Sequence, residues 1–317
     1  MVSSSPTPMS PAAQHVATGD IGVGEELTTS YLSDGALSST RARRGALLAG
    51  KLFHCRCARC EREPDWYRAL PCAHCVGGLA RAEPDGGADA GAWACSACGA
   101  AFASLGDAVA GGAARGALAP SGGAWLVAEA AAEAAVAARS WSLAQLQARY
   151  SDAVAGVGVF HWAPNRLLLD AAAAYCERLS AAAASSAGGG PALSALPPRP
   201  SALPPLAPAP AALVADAGDA AACAGELIAA AEWLVRWVAT ATPDAPEAAL
   251  GARMDGWAAA LFAFAASGGP AGGGKAVRRR ARACASRLRA LRLAFLGAQP
   301  FYDARGTHRA ALLALPP

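Results

Sequence analysis

Two pairs of cysteines with the spacing C-x2-C could hold one metal ion. Cys72 and Cys75 form the first pair, Cys95 and Cys98 form the second, and 19 residues separate the pairs. Two residues between the cysteines of a pair let both thiolates reach one tetrahedral ion at about 2.3 Å. This spacing is typical of structural zinc sites, and it disfavours a chance cluster of free or disulfide-bonded cysteines. The sequence therefore predicts one zinc ion bound by these four thiolates.

Glycines and apolar residues accompany the two pairs. Gly77 and Gly78 follow the first pair and Gly99 follows the second, so the backbone can turn there without steric penalty. Trp93 and Leu79 are the candidates for an apolar patch beside the ion. These residues indicate a small zinc ribbon.

A third group of cysteines has the spacing C-x-C-x2-C and consists of Cys55, Cys57 and Cys60. Three thiolates on one loop leave a tetrahedral zinc ion one ligand short, so the fourth ligand must come from elsewhere. His54 and His74 are candidates by proximity alone, although a lone histidine is more often solvated or hydrogen-bonded than metal-bound. The identity of the fourth ligand stays open.

The residues around this group resemble part of a known family. One segment is similar to the closing segment of SET domains: Asp20-Ile21-x-x-Gly24-Glu25-Glu26-Leu27-Thr28-x-x-Tyr31. The next segment resembles the post-SET region of the SMYD subfamily: Arg41-x-Arg43-Arg44-x3-Leu48, followed by Phe53-x-Cys55-x-Cys57-x2-Cys60. Order and spacing agree over residues 16–60. A later segment is similar to a helix-start motif in that subfamily's helical C-terminal domain: Phe160-His161-Trp162-x-Pro164-Asn165.

The resemblance implies transfer of a methyl group from S-adenosylmethionine to the side chain of a lysine in a protein substrate. In the family, a tyrosine at the position of Tyr31 lines the lysine channel, where its hydroxyl orients the amine. An aromatic residue at the position of Phe53 packs against the cofactor and the channel, and its face favours the cationic sulfonium. The alternative is that Tyr31 and Phe53 are core aromatics beside a zinc loop.

The sequence also departs from the family pattern. The family has an Asn-His-Ser-Cys-type segment and a MYND zinc module before the matched region, and neither is found in these 317 residues. The first of these supplies cofactor contacts and a zinc ligand. Lys51 stands where an aromatic is frequent, and Thr29 where many SET domains have a second tyrosine. We therefore expect a truncated methyltransferase that is inactive as this chain. The alternative is a non-catalytic zinc-binding, helical protein-interaction module.

Composition favours helices joined by irregular stretches. Hydrophobic residues make up 54% of the chain, many of them alanine, and 16% are charged against about 25% in an average domain. The net charge of +3 is too small to indicate a nucleic-acid partner, and we expect no direct one. Neither a signal peptide nor an apolar run of membrane-spanning length is visible. A cytoplasmic or nuclear protein is therefore expected, in which thiols stay reduced.

Hydrophobic periodicity predicts seven helices. They cover residues 39–52, 125–140, 142–154, 165–184, 220–239, 246–266 and 275–296. A turn is predicted at residues 22–24 and a strand at residues 26–32. The fold class is mixed: a short β remnant of a SET domain and a zinc-stabilised cysteine-rich module precede a mainly α-helical, repeat-like domain.

The same patterns divide the chain into six segments. The end of the SET domain is assigned to residues 1–38, the post-SET helix and C-x-C-x2-C group to 39–62, and the zinc ribbon to 63–105. The helical domain is assigned to residues 120–184 and 220–317, with a disordered Pro/Ala/Gly linker at 185–219 between its two parts.

The last predicted helix has a basic face. Apolar residues repeat at four-and-three spacing along residues 277–295, so the helix is amphipathic. Its basic residues are Lys275, Arg278, Arg279, Arg280, Arg282, Arg287, Arg289 and Arg292. A solvated face is the simpler interpretation, because no aromatic residue is interleaved for base stacking, and contact with phosphates or an acidic peptide is the alternative. The isolated Cys176, Cys223 and Cys284 are predicted to be small core residues.

Overall fold

A computed structural model of the chain describes residues 22–24, 31–32, 37–61, 64–75, 78–82, 92–113, 121–138, 141–186, 220–241, 248–267 and 275–296. In these ranges the protein is mostly helical, with one small antiparallel sheet. The helices are α1 (Thr40–Lys51), α2 (Ala58–Glu61), α3 (Leu105–Ala113), α4 (Gly122–Ala137), α5 (Leu143–Val157), α6 (Trp162–Ser186), α7 (Ala220–Ala241), α8 (Ala248–Ala266) and α9 (Lys275–Leu296). None of these helices is both long and apolar enough to cross a membrane.

All seven helices predicted from periodicity are confirmed, with bounds that differ by less than one turn. Helix α1 begins after Ser39, whose hydroxyl accepts a hydrogen bond from the Ala42 N–H, and ends at Leu52 in the left-handed conformation. The predicted turn before it is present, with Gly24 at a φ of 83°. The predicted strand at 26–32 falls mainly outside the described residues, and Tyr31 and Leu32 are not in a strand.

A four-stranded antiparallel sheet follows α2. Its strands are β1 (Ala69–Pro71), β2 (Leu79–Ala82), β3 (Trp93–Cys95) and β4 (Ala101–Phe102), in the order β1-β2-β3-β4. Because each strand pairs antiparallel with the next, the β1–β2 and β3–β4 turns lie at the same end of the sheet. Cys72 and Cys75 lie in the first turn, whereas in the second pair Cys95 ends β3 and Cys98 lies in the turn after it.

The helix α3 directly after the sheet was not predicted. The local signal for it is a cap, since Ser104 Oγ accepts from the Asp107 N–H and donates to the Asp107 carboxylate. Where α3 and α4 meet, a Cβ at Gly122 would lie 3.1 Å from the backbone of Gly106. The two helices can therefore approach this closely because Gly122 has no side chain.

The remaining helices enclose the main apolar core. A capping box of Ser142 and Gln145 begins α5, and α6 begins at Trp162, inside the predicted helix-start motif. The apolar stripe of α6 is buried and consists of Leu168, Ala172, Tyr175 and Leu179. In α7 and α9, Cys223 and Cys284 are core residues as predicted, whereas Cys176 is only partly buried. The predicted linker at 185–219 lies outside the described residues apart from its first two positions, which end α6.

A buried polar cluster joins the sheet to the helices. Glu129 of α4 accepts two hydrogen bonds from Arg68, at 2.7 and 2.8 Å, in the turn before β1. It also contacts His161 Nε2 at 3.0 Å. Since His161 Nδ1 accepts from the Ala163 N–H, the ring proton lies on Nε2 and is donated to Glu129. The Arg68 guanidinium lies against the rings of Trp93 in β3 and Trp125 in α4, which themselves meet edge to face.

Candidate metal centres

The four sulfurs of the C-x2-C pairs converge on one point. The Sγ atoms of Cys72, Cys75, Cys95 and Cys98 all lie within 4.8 Å of one another. Cys72 and Cys98 are 3.7 Å apart, and Cys75 and Cys95 are 3.8 Å apart. A tetrahedron with metal–sulfur bonds of about 2.3 Å has edges of about 3.8 Å. These thiols can therefore hold a metal ion, and their geometry fits a tetrahedral one.

The sheet places both pairs. Hydrogen bonds from the Cys72 N–H to the Gly78 carbonyl and from the Cys95 N–H to the Ala100 carbonyl, each 2.8 Å, close the two turns. Gly99 has a φ of 71°, a backbone conformation that residues with a side chain rarely adopt. Trp93 and Leu79, predicted to lie beside the ion, are both buried in the sheet.

Backbone N–H groups lie close to the sulfur of the first cysteine of each pair. The His74 N–H lies 3.3 Å from Cys72 Sγ. Burial raises the pKa of Cys95, but hydrogen bonds from the Cys98 and Ala97 backbones lower it further, so that it falls to about 7. Metal binding requires the thiolate form, and the backbone of the second turn favours that form at Cys95.

Gly78 is required by the cluster itself. A Cβ at this position would lie 2.7 Å from Cys95 Sγ and still closer to Cys75 Sγ. No flexible side chain can move aside there, since both contact atoms are candidate ligands. We conclude that residue 78 must be glycine for the four sulfurs to converge.

The second group brings its three sulfurs together as predicted. The Sγ atoms of Cys55, Cys57 and Cys60 lie within 4.8 Å of one another, and neither His54 nor His74 joins this group. The His74 ring instead packs on Phe102, 5.6 Å between centroids. Among the described residues, therefore, no histidine or carboxylate supplies a fourth ligand to this group.

Two arginines of α1 hold the three-thiol loop. The Arg44 Nε donates to the Cys55 carbonyl at 3.3 Å, and Arg43 Nη2 lies 4.0 Å from Cys60 Sγ. Burial raises the pKa of Cys60 to about 11, an effect that Arg43 partly offsets. Both arginines belong to the segment that resembles the post-SET region, but the resemblance implied no role for them. Adjacent residues of a helix point about 100° apart, so the spacing of the two arginines gave no signal that both contact the loop.

Tyr31 and Phe53 lie side by side next to the three-thiol loop. Their ring centroids are 5.7 Å apart at an interplanar angle of 70°. Both rings remain accessible, with 60% of Tyr31 and 37% of Phe53 exposed. Lys51 Nζ lies 5.9 Å from the centroid of the Tyr31 ring, which places a cation against this aromatic pair.

Comparison with known proteins adds no relative to this description. Neither the scan against protein-family models nor the search of curated proteins finds a match for the chain.

Proposed function

We propose that the chain is part of a SET-type protein-lysine N-methyltransferase similar to the SMYD subfamily, with zinc in both thiol clusters. The observation that supports this most directly is the pairing of Tyr31 with Phe53. These residues are the two for which the resemblance implies contact with the lysine channel and the cofactor. Their rings meet edge to face with centroids 5.7 Å apart, and both are accessible. Phe53 directly precedes the three-thiol loop in the sequence.

Zinc is the metal that we assign to the four-thiol cluster. Thiolate ligands suit zinc, copper(I) and iron–sulfur clusters, and a tetrahedral set of four protein ligands is typical of structural zinc. Such a site leaves no open position for substrate. Its role in this protein is to hold the two turns of the sheet together, and the role of the three-thiol cluster is to fix the loop that follows Phe53.

The aromatic pair has the chemistry that methyl transfer requires. A ring face attracts a sulfonium or an ammonium cation, and Lys51 already lies over the Tyr31 ring. The Tyr31 hydroxyl can accept or donate a hydrogen bond and so orient the substrate amine for in-line attack. This is catalysis by positioning. It requires the rest of a SET domain to hold the cofactor.

Replacing Tyr31 with phenylalanine tests this role. In a form extended upstream of Met1 to a complete SET domain, Tyr31→Phe should lower turnover on a lysine peptide roughly tenfold to hundredfold, because the amine loses its orienting hydrogen bond. The affinity for S-adenosylmethionine should change far less. Radiolabelled methyl transfer and calorimetry measure the two quantities. Val127→Ala, at an exposed position on α4, is the control and should change neither. An unchanged rate in Tyr31→Phe would remove Tyr31 from the site.

The 317-residue chain alone should give no measurable heat with S-adenosylmethionine. The family residues that contact the cofactor's methionine and adenine groups are not found in its sequence, and the aromatic pair offers only one wall of a channel. Isothermal titration calorimetry checks this. Tight binding would show that another segment of this chain holds the cofactor. If the extended form also bound none and transferred no methyl group, the alternative of a non-catalytic zinc-binding interaction module would replace the proposal.

A further inference from the structure

Seven of the eight basic residues of α9 fall into two groups with different surroundings. One group faces neighbouring helices. Arg280 and Arg287 pair with Glu232 of α7, at 3.8 and 3.0 Å, and Arg292 pairs with Asp255 of α8 at 2.8 Å. The Arg289 guanidinium lies 4.6 Å from the centroid of the Phe262 ring. These four arginines hold the last helix of the described ranges in the bundle.

The second group, which we name the basic stripe, consists of Lys275, Arg279 and Arg282. All three side chains are exposed. Their i, i+4 and i+7 spacing places them on one face of α9, about 10 Å from end to end. No acidic group of the described ranges forms an ion pair with them, and the sequence has no acidic residue between Asp255 and Asp303.

The basic stripe does not stabilise its own helix. A positive charge in the first turn of a helix, such as that of Lys275, opposes the helix dipole. Like charges at i and i+4 repel one another as well. The first turn of α9 has no acidic residue to offset either effect. A cationic row that has no ion-pair partner among the described residues, beside four arginines that do have partners, is a candidate binding surface for an anion.

We propose that the basic stripe binds the phosphodiester backbone of double-stranded nucleic acid without reading its sequence. Pairs between exposed charges contribute little because solvent and salt screen them, and tight protein interfaces depend on apolar anchors. The exposed residues beside the stripe include the small side chains of Ala276 and Ala283, which offer no such anchor. A duplex differs from an acidic protein surface because each neutralised phosphate releases condensed counterions, so that a bare row of cations suffices.

This proposal differs from the expectation drawn from the sequence, and the difference has a physical reason. Interleaved aromatic residues are needed for stacking on the bases of single strands. Contacts to the backbone of a duplex need only cations at suitable spacing. The net charge of +3 also conceals the stripe, because three other arginines of α9 are paired with acidic residues of α7 and α8.

Salt-dependent binding of a fluorescent duplex tests the proposal. Three phosphate contacts predict that log K falls with log salt at a slope of about −2.7. Between about 20 mM and about 150 mM salt, affinity should therefore fall about 200-fold, for two unrelated DNA sequences alike. Fluorescence anisotropy with the 317-residue chain measures this, and a duplex RNA arm shows whether the helix form matters.

The double variant Arg279→Gln/Arg282→Gln should weaken binding at low salt and reduce the salt effect to about sixfold, which corresponds to one remaining contact. The control Arg149→Gln/Arg178→Gln removes the same charge from exposed positions on α5 and α6 and should leave the slope unchanged. Equal effects of the two variants would overturn the proposal, since net charge would then be responsible. Absence of duplex binding at low salt would overturn it too, as would stripe-dependent binding only to anionic vesicles or to a polyglutamate peptide.

Discussion

Replacing Cys95 with serine is expected to remove one zinc ion per chain and to unfold the four-stranded sheet. Cys95 is buried, and its sulfur forms one edge of the thiol tetrahedron with Cys75. Zinc binding of this kind contributes about 10–16 kcal/mol to the folding of small metal-organised units. The strands here are only two to four residues long, so we expect loss of the ion to disrupt their pairing.

Native mass spectrometry measures the zinc content, and tryptophan emission reports the sheet because Trp93 is 1% exposed in the native fold. A red shift is expected in Cys95→Ser. The matched control is Cys176→Ser, since Cys176 belongs to neither thiol cluster and should leave both zinc content and emission unchanged. A Cys95→Ser protein with full zinc content and a buried Trp93 would contradict the assignment of the cluster.

Replacing Glu129 with glutamine is expected to destabilise the protein by about 3–5 kcal/mol, because it breaks a buried ion pair by removing the carboxylate that faces the Arg68 guanidinium. Arg68 and Glu129 are both buried, and they form a bidentate pair. Glutamine keeps the size of the side chain, so that cavity formation does not contribute. The free energy of unfolding from urea titration followed by circular dichroism measures the effect.

Glu133→Gln is the matched control, one turn further along α4. Glu133 pairs with Arg41 at 2.7 Å, but half of the Arg41 side chain is exposed. An exposed pair of this kind contributes about 0–1 kcal/mol. If the two substitutions cost the same, the buried cluster would not be the main connection between sheet and helices.

The pH dependence of stability should reveal the same carboxylate. Burial raises the pKa of Glu129, but hydrogen bonds from His161 and Arg68 lower it further, from 4.5 to about 2. The lowered pKa contributes about 3 kcal/mol. This contribution is complete above the unfolded pKa and is lost as pH falls through the folded one. The difference in unfolding free energy between the native protein and Glu129→Gln should therefore shrink between about pH 4.5 and pH 2. A constant difference would assign the cost to shape rather than to charge.

Local information was sufficient for much of this structure. The helices follow from apolar periodicity, and α9 matches its predicted bounds from Lys275 to Leu296. Both thiol clusters were predictable because at most two residues lie between neighbouring cysteines within each pair or loop. The helix α3 was missed because its alanine- and glycine-rich sequence resembles a linker, and only the Ser104–Asp107 cap distinguishes it.

Contacts between distant parts of the chain were not predictable in this way. Arg68 and Glu129 are 61 residues apart and Glu129 and His161 are 32 apart, so that no spacing rule connects them. Only the fold shows that the three side chains meet. The division of the basic residues of α9 into paired arginines and a basic stripe likewise depends on Glu232 and Asp255, which lie on other helices.

The crowding at Gly78 has a consequence for recognising other chains with this centre. Because two candidate ligand sulfurs lie where its side chain would be, the first turn should accept only the pattern C-x2-C-x2-G. The second turn requires a glycine directly after its last cysteine, since Gly99 has a positive φ. A search on cysteine spacing alone would find ribbons of this geometry together with unrelated C-x2-C pairs. A sequence profile that weights these two glycines as heavily as the cysteines should separate the two kinds of match.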